Sequence, residues 1–123
     1  MRFAAIADVH GNYLALEAVL ADIRAQGISE IVNLGDMASG PLEARRAMDA
    51  LMALDAVHVL GNHDRWLIDR PVEMMGSWER PAHAQLGIAS TGCAQCRRRR
   101  CFAIRCFSVT PRLPTIMFTG LRP

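Results

Sequence analysis

The sequence predicts an α/β fold in which short parallel strands alternate with crossover helices around one sheet. Three observations lead there. Apolar runs of strand length alternate with longer segments whose apolar residues recur at helical spacing. Each strand-like run stops at a Gly or Asp inside a polar cluster, as strands do when they deliver residues to one sheet edge. The 123 residues are 51% hydrophobic and the first 92 contain no cysteine, so one domain has to form by packing layers and not by disulfides.

The elements follow in order. FAAIA at 3–7 reads as a strand ending at Asp8. Leu16, Val19, Leu20 and Ile23 fall at i, i+3, i+4 and i+7, giving a helix over 13–26 with Asn12 as N-cap and Gly27 as its stop. EIVNL at 30–34 is the second strand, ending at Gly35 and Asp36. Pro41 opens a second helical pattern in which Ala44, Ala47, Met48 and Leu51 share a face. VHVL at 57–60 is the third strand and runs into Gly61. Beyond it the pattern weakens: Arg65 to Ile68 begins a helix, and Pro71 and Pro81 bound a loop.

Charge divides the chain. The formal net charge is +2, yet positions 97–123 carry seven arginines and no acidic residue, whereas positions 1–90 hold all twelve Asp and Glu. The apolar run before Asp8 is too short for a signal peptide, and no stretch approaches the roughly 20 apolar residues of a membrane span. The expectation is a cytoplasmic protein without a membrane partner.

The three strand ends, ADVHGN at 7–12, LGDMASG at 34–40 and LGNHDRW at 60–66, would emerge at one carboxyl edge of a parallel sheet. That edge would gather Asp8, His10, Asp36, Asn62, His63 and Asp64. Alternate residues leaving a strand point the same way, so Asp8 and His10 could reach one ion. Gly35 and Gly61 remove side chains just before a ligand and let the backbone turn tightly. Taken singly, such an Asp is more often an N-cap and such a His more often a surface or core residue. The combination of D-x-H, G-D and G-N-H-D is specific, and through IADVHGNYLALEAVL, IVNLGDMASGP and VLGNHDRWL the chain resembles the calcineurin-like metallophosphoesterases, in particular small bacterial phosphodiesterase-type members.

The resemblance covers roughly residues 1–90. It implies the N-terminal half of a layered α/β/β/α fold, with Asp8 and His10 holding a first divalent metal, Asp36 bridging two, and Asn62 ligating the second. It further implies that His63 stands beside the metals as a catalytic group, oriented by Asp64. Oxygen and imidazole donors suit Mn, Fe, Zn or Ni, and a carboxylate bridge holds two cations about 3.5–4 Å apart. The implied activity is hydrolysis of a small phosphate mono- or diester by a bridging hydroxide. Arg65 lies on the same loop, but a solvated surface arginine is the simpler reading of it.

After about Leu86 the chain departs from the family pattern. Members of this type continue well past this length, with further histidines and a second sheet, whereas His83 is the last histidine here. Residues 91–123 form an atypical tail. Cys93, Cys96, Cys101 and Cys106 are too evenly spaced for the two separated ligand pairs of a zinc ribbon or finger. The run Arg97 to Arg100 is a weak signal for nucleic acid, which is not an expected partner. An out-of-frame reading accounts better for arginine, cysteine and proline without acids. A shifted frame permits a strand followed by Cys-His-Ala-Thr-Pro, which resembles the family's metal-binding histidine segment. The expected enzyme is therefore truncated and impaired. The alternatives are a non-catalytic product with a weak single-metal site, and a small zinc- or RNA-binding protein acting through the tail.

Overall fold

The computed structural model describes residues 2–88. Along the chain these form β1 (Phe3–Ile6), α1 (Tyr13–Ala25), β2 (Glu30–Asn33), α2 (Ala44–Met52), β3 (Ala56–His58), α3 (Asn62–Asp69), a 3-10 turn (Val72–Met74) and α4 (Arg80–Leu86). The strands make one parallel sheet in the order β1-β2-β3, with Phe3 opposite Glu30 and Ile31 opposite Ala56. This is the α/β architecture expected for the N-terminal part. The tail at 91–123, with its cysteines and arginine run, lies outside the described residues. Among those described, no helix is long and apolar enough to cross a membrane.

Local chemistry accounts for most boundaries. Asn12 caps α1 by accepting the Ala15 N–H at 3.2 Å. At the other end the Ile28 N–H reaches the Ile23 carbonyl and the Gly27 N–H that of Arg24, with Gly27 at φ 67°. That is a Schellman closure, and it requires a residue at ease in the left-handed region. Leu16, Leu20 and Ile23 are buried as the periodicity requires, but Val19 remains 45% exposed because it borders an open groove beside β1. Helix α2 begins at Ala44, later than Pro41, and buries the expected Ala44, Ala47, Met48 and Leu51.

Two expectations change after β3. Helix α3 starts at Asn62, so Asn62, His63 and Asp64 form its first turn and do not sit in a loop. Pro81 does not end a loop but lies in the first turn of α4, where its missing N–H is not needed. Helix α4 is held to α2 by Arg45, whose Nε and Nη2 donate to the Gln85 carbonyl at 3.1 and 2.8 Å. Nη2 also reaches the Leu86 carbonyl at 3.0 Å, so a cation satisfies the free carbonyls at the helix C-terminus.

One polar pair, partly buried, links the sheet to the loop after β2. Asn33, fully buried, accepts the Gly35 N–H through Oδ1 at 3.1 Å, and its Nδ2 donates to His58 Nδ1 at 3.3 Å. Burial pushes the His58 imidazole below its ordinary value of 6.5, an effect that the nearby Leu51 carbonyl only partly offsets. As pH falls through about 6.5 the unfolded chain therefore takes up this proton before the folded one, and the folded state loses stability. Above that range both states carry a neutral ring and the contribution is flat. Melting temperatures measured between about pH 8 and pH 5 should fall more steeply for the wild type than for His58→Gln. Parallel curves would show that His58 titrates alike in both states.

Candidate metal centre

Beyond the ends of β1 and β2 the two following loops stay paired through their backbones. The Leu34 N–H donates to the Ile6 carbonyl at 2.9 Å, Asp8 to Gly35 at 3.0 Å, His10 to Asp36 at 3.0 Å and Gly11 to Met37 at 2.9 Å. The chain between these bonds is not extended. Asp8, His10 and Asp36 have φ of 54°, 47° and 56°, and they are the non-glycine residues with positive φ among those described. Asp and His tolerate this region better than most residues, yet each such position costs on the order of 1–3 kcal/mol. Among the non-glycine residues described, this strain falls on these three, and the surrounding hydrogen bonds hold it in place.

Their donor atoms lie within 4.8 Å of one another, close enough to hold one metal ion. Asp8 Oδ1 is 3.7 Å from His10 Nε2. Asp8 and His10 thus converge as expected, but through left-handed turns, whereas continued strand alternation was the expected cause. His10 Nδ1 donates to the Ser39 carbonyl at 2.8 Å, which fixes the tautomer and leaves the Nε2 lone pair free to coordinate. Asp36 Oδ1 accepts the His63 N–H at 2.9 Å, at the positive end of α3, and its other oxygen remains for a cation. Two oxygens and one imidazole nitrogen suit a borderline or hard divalent ion, so these residues fit the metal that the resemblance implies. Asn62 is exposed at the start of α3, next to the residue that binds Asp36.

The spacing around Asp36 depends on glycine. A Cβ on Gly61 would fall onto Asp36 Oδ1, and one on Gly35, at φ 106°, would lie 2.6 Å from Gly61 Cα. Asp64 completes the contact between the loops. It is 4% exposed; its Oδ2 accepts the N–H groups of Asp36 at 2.8 Å and Gly61 at 3.0 Å, and its Oδ1 that of Met37 at 2.9 Å. Those three backbone donors, and not the His63 ring, are the groups that Asp64 binds. His63 instead has Nδ1 3.7 Å from Glu79 Oε1 and packs edge-on to His10 and Trp66, with centroids at 5.2 and 4.5 Å.

Sequence reasoning missed Ser39 and Glu79. Ser39 is fully buried, receives His10 through its carbonyl, and donates its hydroxyl to the His63 carbonyl at 3.3 Å. It lies within LGDMASG, but a small uncharged residue there carried no signal. Glu79 stands in the segment read as a loop. Arg65, whose guanidinium reaches the Leu60 carbonyl at 3.4 Å, is exposed as expected.

A model of the calcineurin-like phosphoesterase family matches residues 1–100. The chain belongs to this family. A solved metallophosphoesterase from Sphaerobacter thermophilus is similar to it, with 30% identity and a TM-score of 0.55 over 88% of this chain and 40% of that one. An uncharacterized protein of Methanocaldococcus jannaschii is 39% identical over 61 residues, 50% of this chain and 25% of that protein. This calcineurin-like chain therefore spans well under half the length of either relative.

Proposed function

We propose that this chain carries the metal-binding N-terminal part of a phosphoesterase site that hydrolyses a small phosphate mono- or diester. The observation that carries the reading is the convergence of Asp8, His10 and Asp36 donors within 4.8 Å at the sheet edge, with His10 Nε2 freed by Ser39. Asp8 and His10 would hold the first cation, Asp36 would bridge, and Asn62 would ligate the second, the ions being Mn, Fe, Zn or Ni. Bound there, the cations would supply Lewis-acid neutralisation of phosphoryl charge and lower the pKa of coordinated water.

The chain's own residues do the rest. Asp64 ties the loop bearing Asp36 to Gly61 and the first turn of α3, which bears Asn62, through its three backbone bonds. His63, beside His10, would steady charge on the phosphoryl group or donate a proton from Nε2 to the departing oxygen. Manganese-dependent hydrolysis of bis(p-nitrophenyl) phosphate and p-nitrophenyl phosphate tests the proposal. His63→Ala should keep its metal stoichiometry while kcat falls by about 10² to 10⁴, the usual scale for a positioned acid. Metal lost in parallel with activity would make His63 a ligand.

A second reading is a single-metal protein without turnover. It is favoured by the one three-donor set, Asp8, His10 and Asp36, that the described residues bring together. Elemental analysis separates the two: one bound ion and no turnover supports the second reading, and two ions with turnover the first.

A further inference from the structure

We infer that Glu79 is the positioning residue of His63, its buried carboxylate holding the imidazole in the Nδ1–H tautomer so that Nε2 is the nitrogen presented to substrate. The inference rests on the proposed role of His63 and deepens it. Glu79 comes from the end of the segment between the 3-10 turn and α4, and it is 6% exposed. One oxygen is used locally: Oε2 accepts the Gly76 N–H at 3.0 Å. The other, Oε1, has no such use and stands 3.7 Å from His63 Nδ1.

The histidine side of the pair is equally specific. His63 Nδ1 is buried and makes no hydrogen bond, an arrangement costing on the order of 1–3 kcal/mol for a neutral polar group unless a partner stands close. Glu79 Oε1 is that partner. The separation is that of an ion pair and not of a formed hydrogen bond, and such contacts in active sites often tighten only when substrate binds. A carboxylate accepts and never donates, so Nδ1 facing it carries the proton. Any second proton on the ring then sits on Nε2, the nitrogen that a departing oxygen would meet. Asp64, which might have filled this role, has its oxygens committed to Asp36, Met37 and Gly61.

The test uses the 123-residue chain, metal-free, with ¹⁵N-labelled histidine at about pH 8.5, above the ordinary histidine range. Long-range ¹H–¹⁵N spectra should give His63 as the Nδ1–H tautomer. In Glu79→Gln the amide oxygen stays with the Gly76 N–H and the NH₂ faces the ring, so the tautomer should switch to Nε2–H. An Nε2–H tautomer in the wild type, or no change in the variant, overturns the inference; if the variant does not fold, the wild-type spectrum decides alone. Kinetics add a second arm. Glu79→Gln should lower kcat roughly 10- to 10²-fold, the scale for groups that orient an active-site histidine, with KM and metal content unchanged. In the His63→Ala background it should cost nothing further, and additive losses would place Glu79 elsewhere in the mechanism. Wild-type turnover by His63→Ala would remove the proposed role of His63 while leaving the tautomer result standing.

Discussion

Asp36→Asn is expected to abolish any metal-stimulated phosphoesterase activity of the kind proposed and to lower metal content, while the protein remains folded. The substitution is clean because asparagine, like aspartate, tolerates the left-handed backbone that Asp36 adopts at φ 56°. Its amide oxygen can still accept the His63 N–H that Asp36 Oδ1 accepts at 2.9 Å. The amide NH₂ then replaces the oxygen left for a cation, and an NH₂ group cannot coordinate one. A bridging carboxylate serves both metal positions, so its loss weakens both together and forfeits several kcal/mol of charge stabilisation. At about 1.4 kcal/mol per decade that is a rate loss on the order of 10³ or more. Turnover, elemental analysis and circular dichroism on the same preparation check it. Wild-type turnover in the variant would sink the bridging assignment.

Asp64→Ala should be the most destabilising substitution at the site, although the Asp64 carboxylate is not itself one of the three converging donors. Its carboxylate is the acceptor for three backbone N–H groups, those of Asp36, Met37 and Gly61. Hydrogen bonds to a charged group are worth about 1.5–3 kcal/mol each, and a donor left buried without a partner costs about 1–3 kcal/mol. The Met37 donor is buried and Gly61, at the start of α3, closes against Asp36, so water replaces the carboxylate poorly. With incomplete additivity, a loss of about 3–5 kcal/mol is expected, a large part of the 5–15 kcal/mol that holds a typical domain. Urea unfolding of the metal-free protein measures it independently of catalysis. A loss under about 1 kcal/mol would mean that the loops are held mainly by their direct backbone bonds.

The segments legible in the sequence are those governed by neighbours along the chain. Asn12 and Gly27 bound α1 because a cap and a left-handed stop act within a few residues, and Ala44, Ala47, Met48 and Leu51 reveal the buried face of α2 by spacing alone. The candidate metal donors were legible for a related reason: parallel strands deliver their carboxyl ends to one edge, which brings Asp8, His10 and Asp36 near one another.

Partner choice across elements depended on the tertiary structure. Asp64 binds backbone donors of a loop 27 and 28 residues away, and Glu79 lies against His63 only because the tertiary structure brings the segment before α4 beside it. Val19 carries the same periodic signal as Leu16 and Leu20 and yet stays half exposed beside the groove along β1. Likewise Asp8 and His10 converge by positive-φ turns that the D-x-H spacing does not encode. Periodicity and capping are local energies, written in residues that adjoin one another. The partner of a carboxylate, or the burial of one valine, is set by which distant backbone the folded chain brings within about 3–4 Å, and that distance exists only after the layers have packed.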